Sequence, residues 1–358
     1  MKHSLTRPWC VRMLVLWALA SLSCDSWRSG NMAKWEIVTR RPQYHEPLAL
    51  WFQQGAGLIL GKYQSLEQLL EPDVAKSNAE KEAFILRSEG DFKTWNKVYS
   101  GKGEFRSVSS PAPGLLYALG VSTDEEGNNR AFLVTSTDQG RTWVPLPPPP
   151  IPSIGVAFHE PKAGYVWSVD RVFQTQDGGK TWRDAEFLLQ MLDGFPPPVV
   201  DAQGTLWMVG EEELRSLDRL QQRTAVPLPE GFRTELLTLD PEGRPWLAGH
   251  EPGDDGERGP LELWTLPASG RELQRISMFP KPILLPEHLH VGRGTLYLIA
   301  SDIDDTPPAS ELHVSIDGGR KWKRESPAVT RGIGPVFVEG DGTLWTAASA
   351  DRLQRRKP

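Results

Sequence analysis

Three stretches of eight residues constrain this chain more than anything else in it: "STDQGRTW" (Ser136 to Trp143), "TQDGGKTW" (Thr175 to Trp182) and "SIDGGRKW" (Ser315 to Trp322). The shared pattern is Ser/Thr-x-Asp-x-Gly-x-Thr-Trp, with Lys321 in place of the threonine in the third. Each position has a local job. Ser136, Thr175 and Ser315, then Asp138, Asp177 and Asp317, offer oxygens to the N–H groups of a turn. Gly140, Gly179 and Gly319 supply the positive φ of a tight hairpin. Trp143, Trp182 and Trp322 start the returning strand and pack under the turn. The octet predicts a β-hairpin turn with an anchor.

Weaker copies fill the gaps. "SEGDFKTW" (from Ser88) keeps both ends, "SLDRLQQR" (from Ser216) keeps serine and aspartate, and "TLPASGRE" (from Thr265) is a faint match. The starts are spaced roughly 40 to 50 residues apart, a period that belongs to propellers and solenoids. A second series interleaves with the first. Glycine is followed three residues later by Trp or Tyr at Gly114, Gly164, Gly204, Gly243, Gly294 and Gly342, and "GLIL" at Gly57 is a seventh copy without the aromatic. One blade therefore reads as strand A, a turn, strand B opening with Gly-x-x-Trp, strand C, the octet turn and strand D. Glycine and proline breaks among short apolar runs agree with an all-β fold.

The octet resembles the Asp-box, or BNR repeat, which marks β-propellers of the sialidase-like superfamily and of photosystem II assembly factor-like proteins. The resemblance implies a propeller and no particular chemistry. Six turn motifs give six blades. Three strands after Arg331 lack a fourth, and "AKWEIVTR" near the other end reads as a spare strand D. The expected fold is a seven-bladed β-propeller over 33–358, closed by pairing Trp35–Val38 with Arg352–Arg355. A six-bladed ring is the alternative.

The resemblance also raises glycoside hydrolysis. Sialidase-like enzymes hold the substrate carboxylate with three arginines and use a tyrosine nucleophile paired with a glutamate, plus an acid/base aspartate. Arg40, Arg41 and Pro42 only approach the early Arg-Ile-Pro motif, and Tyr297 stands where other blades carry Trp, as a packing residue. The octet aspartates recur once per blade and cannot converge on one substrate.

The N-terminus reads as an address. Lys2, Arg7 and Arg12 precede the apolar "MLVLWALASL", which is too short to span a bilayer, and small residues lead to Cys24. "SLSC" resembles a bacterial lipoprotein signal with an acylated cysteine, although Ser21 departs from the preferred aliphatic residue. An ordinary signal-peptidase cut is the alternative. Residues 1–23 are then the signal and 24–32 a tether. Cys10 lies in the signal, so Cys24 is the one thiol left, and acylation accounts for it. Loss of three cations takes the net charge from −6 to −9, which argues against a nucleic-acid partner.

Three B–C segments are acidic: Asp124, Glu125 and Glu126 in blade two, Asp254 and Asp255 in blade five, and Asp302, Asp304 and Asp305 in blade six. The blade register puts them on one rim, opposite the octets, as a candidate binding surface or a solubility feature. "DIDD" is compatible with Ca2+, and His288 and His290 share a strand face, but neither supplies a convincing metal site. No metal or other cofactor is expected. The reading is an exported, lipid-anchored, monomeric propeller in the periplasm or on the cell surface. It acts as a non-catalytic scaffold for an envelope protein or polysaccharide. The alternative is a glycoside hydrolase of sialidase-like fold.

Overall fold

The computed structural model describes residues 35–40, 45–63, 81–124, 126–188, 195–252, 258–279, 284–302, 309–325, 334–347 and 352–358. The expected signal, the tether and Cys24 lie outside them. Strand β1 spans Trp35–Arg40. Blade one is β2 (His45–Gln53), β3 (Ala56–Tyr63), β4 (Glu82–Glu89) and β5 (Asn96–Lys102). Blade two is β6 (Glu104–Ala112), β7 (Leu115–Thr123), β8 (Asn129–Ser136) and β9 (Val144–Leu146). Blade three is β10 (Gly155–Phe158), β11 (Gly164–Trp167), β12 (Arg171–Thr175) and β13 (Arg183–Leu188). Blade four is β14 (Val199–Val200), β15 (Leu206–Val209), β16 (Glu213–Leu217) and β17 (Arg223–Pro227). Blade five is β18 (Arg233–Leu239), β19 (Pro245–Pro252), β20 (Arg258–Thr265) and β21 (Gln274–Phe279). Blade six is β22 (Leu284–Val291), β23 (Leu296–Asp302), β24 (Ala309–Ser315) and β25 (Lys323–Glu325). Blade seven is β26 (Val336–Val338), β27 (Leu344–Thr346) and β28 (Arg352–Arg356), with β1 as its outer strand.

All seven sheets are four-stranded and antiparallel, and they stand in a ring. β1 pairs with β28, placing Trp35 opposite Arg356 and Arg40 opposite Arg352. A sheet in such a ring is covered on both faces, so its middle strands carry apolar side chains both ways. Leu58, Ile59 and Leu60 on β3 are all buried. The core is divided accordingly, with one apolar cluster in each seam between blades. At the closing seam Phe52 of blade one stacks on Trp345 of blade seven, ring centroids 4.0 Å apart. Burying each such side chain contributes about 1.5–3 kcal/mol.

The turns define two faces. A–B turns and octet turns share the lower face; B–C and D–A connections share the upper one. Blades differ in height. Strand B has 7 to 9 residues in blades one, two, five and six, against 3 or 4 in blades three, four and seven. Four extra residues add about 13 Å. Much of what reads as B–C insertion is this added strand: Ser122 and Thr123 extend β7, and Asn129 and Arg130 extend β8.

Two copies of the glycine series are out of register. Gly55 (φ 76°), not Gly57, makes the A–B turn of blade one. In blade three the turn position falls to Lys162, not Gly164, because His159 N–H donates to Ala163 O as Asp201 N–H donates to Thr205 O in blade four. The aromatic three residues after the turn is then Tyr165. Its role depends on its type. Tyr117, Tyr165 and Tyr297 donate their hydroxyls across a seam, to Pro161 O (2.7 Å), Gly204 O (3.1 Å) and Gly342 O (2.9 Å) of the next blade. Trp246 and Trp345 instead donate to an acid in their own turn, Asp240 (3.4 Å) and Glu339 (2.7 Å).

Candidate binding site at the upper channel mouth

The octets close the C–D turns of the lower face. In blade two, Ser136 Oγ accepts from Gly140 N–H at 2.8 Å and donates to Asp138 at 2.7 Å. Asp138 also accepts from the Thr142 N–H (2.9 Å) and hydroxyl (2.6 Å). Thr175, Asp177, Gly179 and Thr181 repeat this arrangement in blade three. Ser315, Asp317, Gly319 and Lys321 repeat its backbone part in blade six. Burial alone would raise the pKa of Asp138, but these bonds to the carboxylate outweigh it and bring it to about 2. Asp177 is brought to about 2, chiefly by the Thr181 hydroxyl and N–H. Asp317 is lowered, first by Lys321 N–H. Trp143 and Trp322 are half-buried and donate to Gly140 O (3.1 Å) and Gly319 O (2.8 Å). Trp182 is also half-buried, with its indole N–H unmatched among the described residues. All three carboxylates thus turn into their own loops, on separate blades.

The upper mouth is built differently. Strand A bulges near its upper end in each tall blade, and the bulged residues there are Leu48, Arg106, Glu235 and Glu287; β6 has a second irregularity between Ser109 and Ala112. A small residue on strand B stands beside each bulge: Gly61, Gly120, Gly249 and Ala300. At Gly249 the reason is direct, since a Cβ there would lie 2.0 Å from Arg233 O; at Gly61 it would lie 2.0 Å from Glu46 O. A bulge re-aims its side chain and lifts it out of the pleat. Arg106 and Glu287 are exposed, Leu48 and Glu235 half-buried.

Each charged bulge residue is held by neighbours. Arg106 pairs with Glu104, which also lies 3.6 Å from Lys62 and 3.5 Å from Lys81. Glu235 meets Arg258 at 3.2 Å and the buried His250 at 3.6 Å. Glu287 accepts from the hydroxyls of Ser301 and Ser310. Arg106, Lys62 and Lys81 surround Glu104 on the side of blades one and two, where Glu46 also lies 3.1 Å from Lys62. Glu235 and Glu287 stand on blades five and six, the former beside Arg258. His288, next to Glu287 on strand A, is pushed down to about 4 by burial and by His290; burial takes His290 to about 4 as well. Both imidazoles are neutral at physiological pH. No group of three or more His, Cys, Asp or Glu that could hold a metal occurs among the described residues.

The acidic segments do begin at this face, at the ends of β7, β19 and β23. Asp124 accepts from the N–H groups of Glu126 and Asn128 and pairs with Arg130 at 3.0 Å. Glu126 is exposed. Asp302 ends β23. Glu125, Asp254, Asp255, Asp304 and Asp305 lie outside the described residues, as do Arg41 and Pro42. Tyr297 is buried in the lower half of blade six, where it donates to Gly342 O and accepts from Arg356 at 3.1 Å. That places its hydroxyl far from the carboxylates of the upper mouth. The bulges were not read from the sequence, although a signal exists: Gly, Gly, Gly or Ala six residues after the turn glycines Gly55, Gly114, Gly243 and Gly294.

No protein-family profile matches this chain, and no curated protein matches it in sequence. Solved structures do resemble it. YCF48 bound to D1 peptide is 14% identical with a TM-score of 0.65, over 91% of this chain and 95% of that one. YCF48 from Cyanidioschyzon merolae is 13% identical with a TM-score of 0.63, over 91% and 99%. The GH74 xyloglucanase from Xanthomonas campestris is 15% identical with a TM-score of 0.60; 87% of this chain matches 52% of that one, so the chain spans about half of the enzyme. At such identities the likeness establishes the fold alone: the chain is a seven-bladed β-propeller, built like the propellers of YCF48 and of GH74 enzymes.

Proposed function

We propose that this protein is an exported, lipid-anchored scaffold that binds a segment of an envelope protein at the upper channel mouth. The observation that carries this reading is the set of strand-A bulges, which ring the mouth with Leu48, Arg106, Glu235 and Glu287. The three charged ones are held by neighbours, with Arg106 on blade two facing Glu235 and Glu287 on blades five and six across the opening. That suits recognition of a polar peptide, because placed charges set orientation and encounter rate. A propeller of like fold is known bound to a D1 peptide. The octets are Asp-box repeats with a structural role, and Cys24 is the acylated residue after a lipoprotein signal.

Capture from the protein's own envelope tests the reading. The triple variant Arg106→Ala, Glu235→Gln, Glu287→Gln loses the partner held by the parent, whereas neutralising Asp124 and Glu126 tests the rim separately. Capture undiminished in the triple variant refutes the site. Cys24→Ser moves the protein from membranes to the soluble fraction. Hydrolysis is a second reading, favoured by the two carboxylates Glu235 and Glu287 on adjacent blades of a fold shared with GH74 enzymes. Glycan cleavage that disappears in Glu235→Gln and Glu287→Gln establishes it instead.

A further inference from the structure

Strand β1 fixes a direction. Trp35 lies opposite Arg356, at the lower end of blade seven, and Arg40 lies opposite Arg352, at the upper end. The chain therefore joins the ring from the lower face, at its outer edge. We infer that the lower face lies against an anionic membrane surface and turns the channel mouth away from it. The inference rests on the acylated Cys24 of the proposed function.

Three observations carry it. The first is reach. Cys24 and Trp35 are eleven peptide steps apart, at most roughly 36–40 Å if fully extended. Seating the upper face on the bilayer requires the tether to double back along β1, itself about 17 Å tall. That consumes nearly half of its full covalent reach. The lower face needs no such detour.

The second observation is apolar exposure. Ile316 is 80% exposed and Leu220 70%, more than any other large hydrophobic side chain described. Both sit at tips of C–D turns, Ile316 in blade six and Leu220 in blade four, and both point away from the lower face's own core. Bare apolar side chains at two separate tips suit the interfacial zone of a bilayer.

The third is charge. Arg320 and Lys321 follow Ile316 in its octet, and Arg219 precedes Leu220. Arg141 and Lys180 hold the same octet position as Arg320 in blades two and three. The octet carboxylates of blades three and six are turned inward onto their own backbones, so those tips present Lys180, Arg320, Lys321 and Ile316 outward. In blade two Arg141 is instead engaged by Glu89 at 2.7 Å, and the blade-one tip carries the exposed Glu89 and Asp91. Basic residues close to a surface of anionic lipid are attracted within about a Debye length.

The test uses the full lipidated protein in vesicles containing phosphatidylglycerol and a headgroup quencher. Cysteine replaces Ile316, Leu220 or, on the upper face, Val169, which is 56% exposed. All three sites tolerate a small side chain, and with Cys24 acylated each new thiol takes the fluorophore alone. The expected result is severalfold stronger quenching at Ile316→Cys and Leu220→Cys than at Val169→Cys, weakening in vesicles of neutral lipid. Equal quenching at the three sites, or stronger quenching at Val169→Cys, overturns the orientation. Mass spectrometry of the N-terminal peptide reads the anchor independently. An unmodified Cys24 overturns anchor and orientation together, whereas an acylated Cys24 with the wrong quenching order overturns the orientation alone.

Discussion

Arg356 closes the seam between blades six and seven, and its removal has a calculable effect. The side chain is 2% exposed and its partner Glu325 is 5% exposed. The two form a fork, Nε to Oε2 at 2.7 Å and Nη2 to Oε1 at 3.0 Å. The third nitrogen donates to Tyr297 at 3.1 Å, and the guanidinium lies 5.2 Å from the centre of that ring. Arg356→Met keeps the bulk of the side chain and strips Glu325 of its guanidinium. Breaking one side of a buried pair costs about 3–5 kcal/mol, because the other charge stays desolvated. That is a large part of the roughly 5–15 kcal/mol that holds a domain folded. The double variant Glu325→Leu, Arg356→Met removes both charges and recovers most of the loss. Urea unfolding of parent, single and double variants measures the three stabilities, and hydrogen exchange across β25 and β28 locates the opening. A single variant within about 1 kcal/mol of the parent refutes the reasoning, since it means that water already screens the pair.

Three further outcomes are expected. Asp138 and Asp177 titrate near 2, so their depressed pKa values stabilise the fold above the unfolded value of about 3.9; the contribution is lost as pH falls from about 4 toward 2, and a carboxyl NMR titration with midpoints near 4 rejects it. Tyr165→Phe removes the bond to Gly204 O and costs about 1 kcal/mol; an unchanged denaturation midpoint rejects the cross-seam latch. Gly249→Ala forces a Cβ against Arg233 O, so it lowers the melting temperature and weakens partner capture through Glu235; a variant that melts and binds like the parent rejects the bulge argument.

The blade count was legible because a turn must use a short menu of residues, and the octets spell that menu out. Register was less legible. Gly57 and Gly164 look like turn glycines, but they are small for another reason: a Cβ at either would lie under 3 Å from Phe52 or Phe158, packed against it. Phe92 shows the converse. It adopts φ 58° at the place of an octet glycine, so blade one turns without the residue that announces the turn. The upper mouth was the least legible part. Arg106, Glu235 and Glu287 sit in strands of mixed polarity, EFRSVSSPA, RTELLTL and LLPEHLHV, where one more charge carries no periodic signal, and only pairing with strand B shows the bulge. Arg356 was silent for a related reason, since its partner is 31 residues away on another blade.

The outer strand of blade seven has a consequence in time. β1 is the first of the described strands to be made and β28, its only partner in the sheet, is the last. During synthesis the six other sheets can each form from neighbouring hairpins, while β1 waits with its edge unsatisfied. Closure then joins Trp35 to Arg356 across nearly the whole chain, a contact of very high sequence separation that folds late and slowly. Until then the seam faces of blades one and six stay bare, an interval in which a nascent propeller is open to aggregation or to a chaperone.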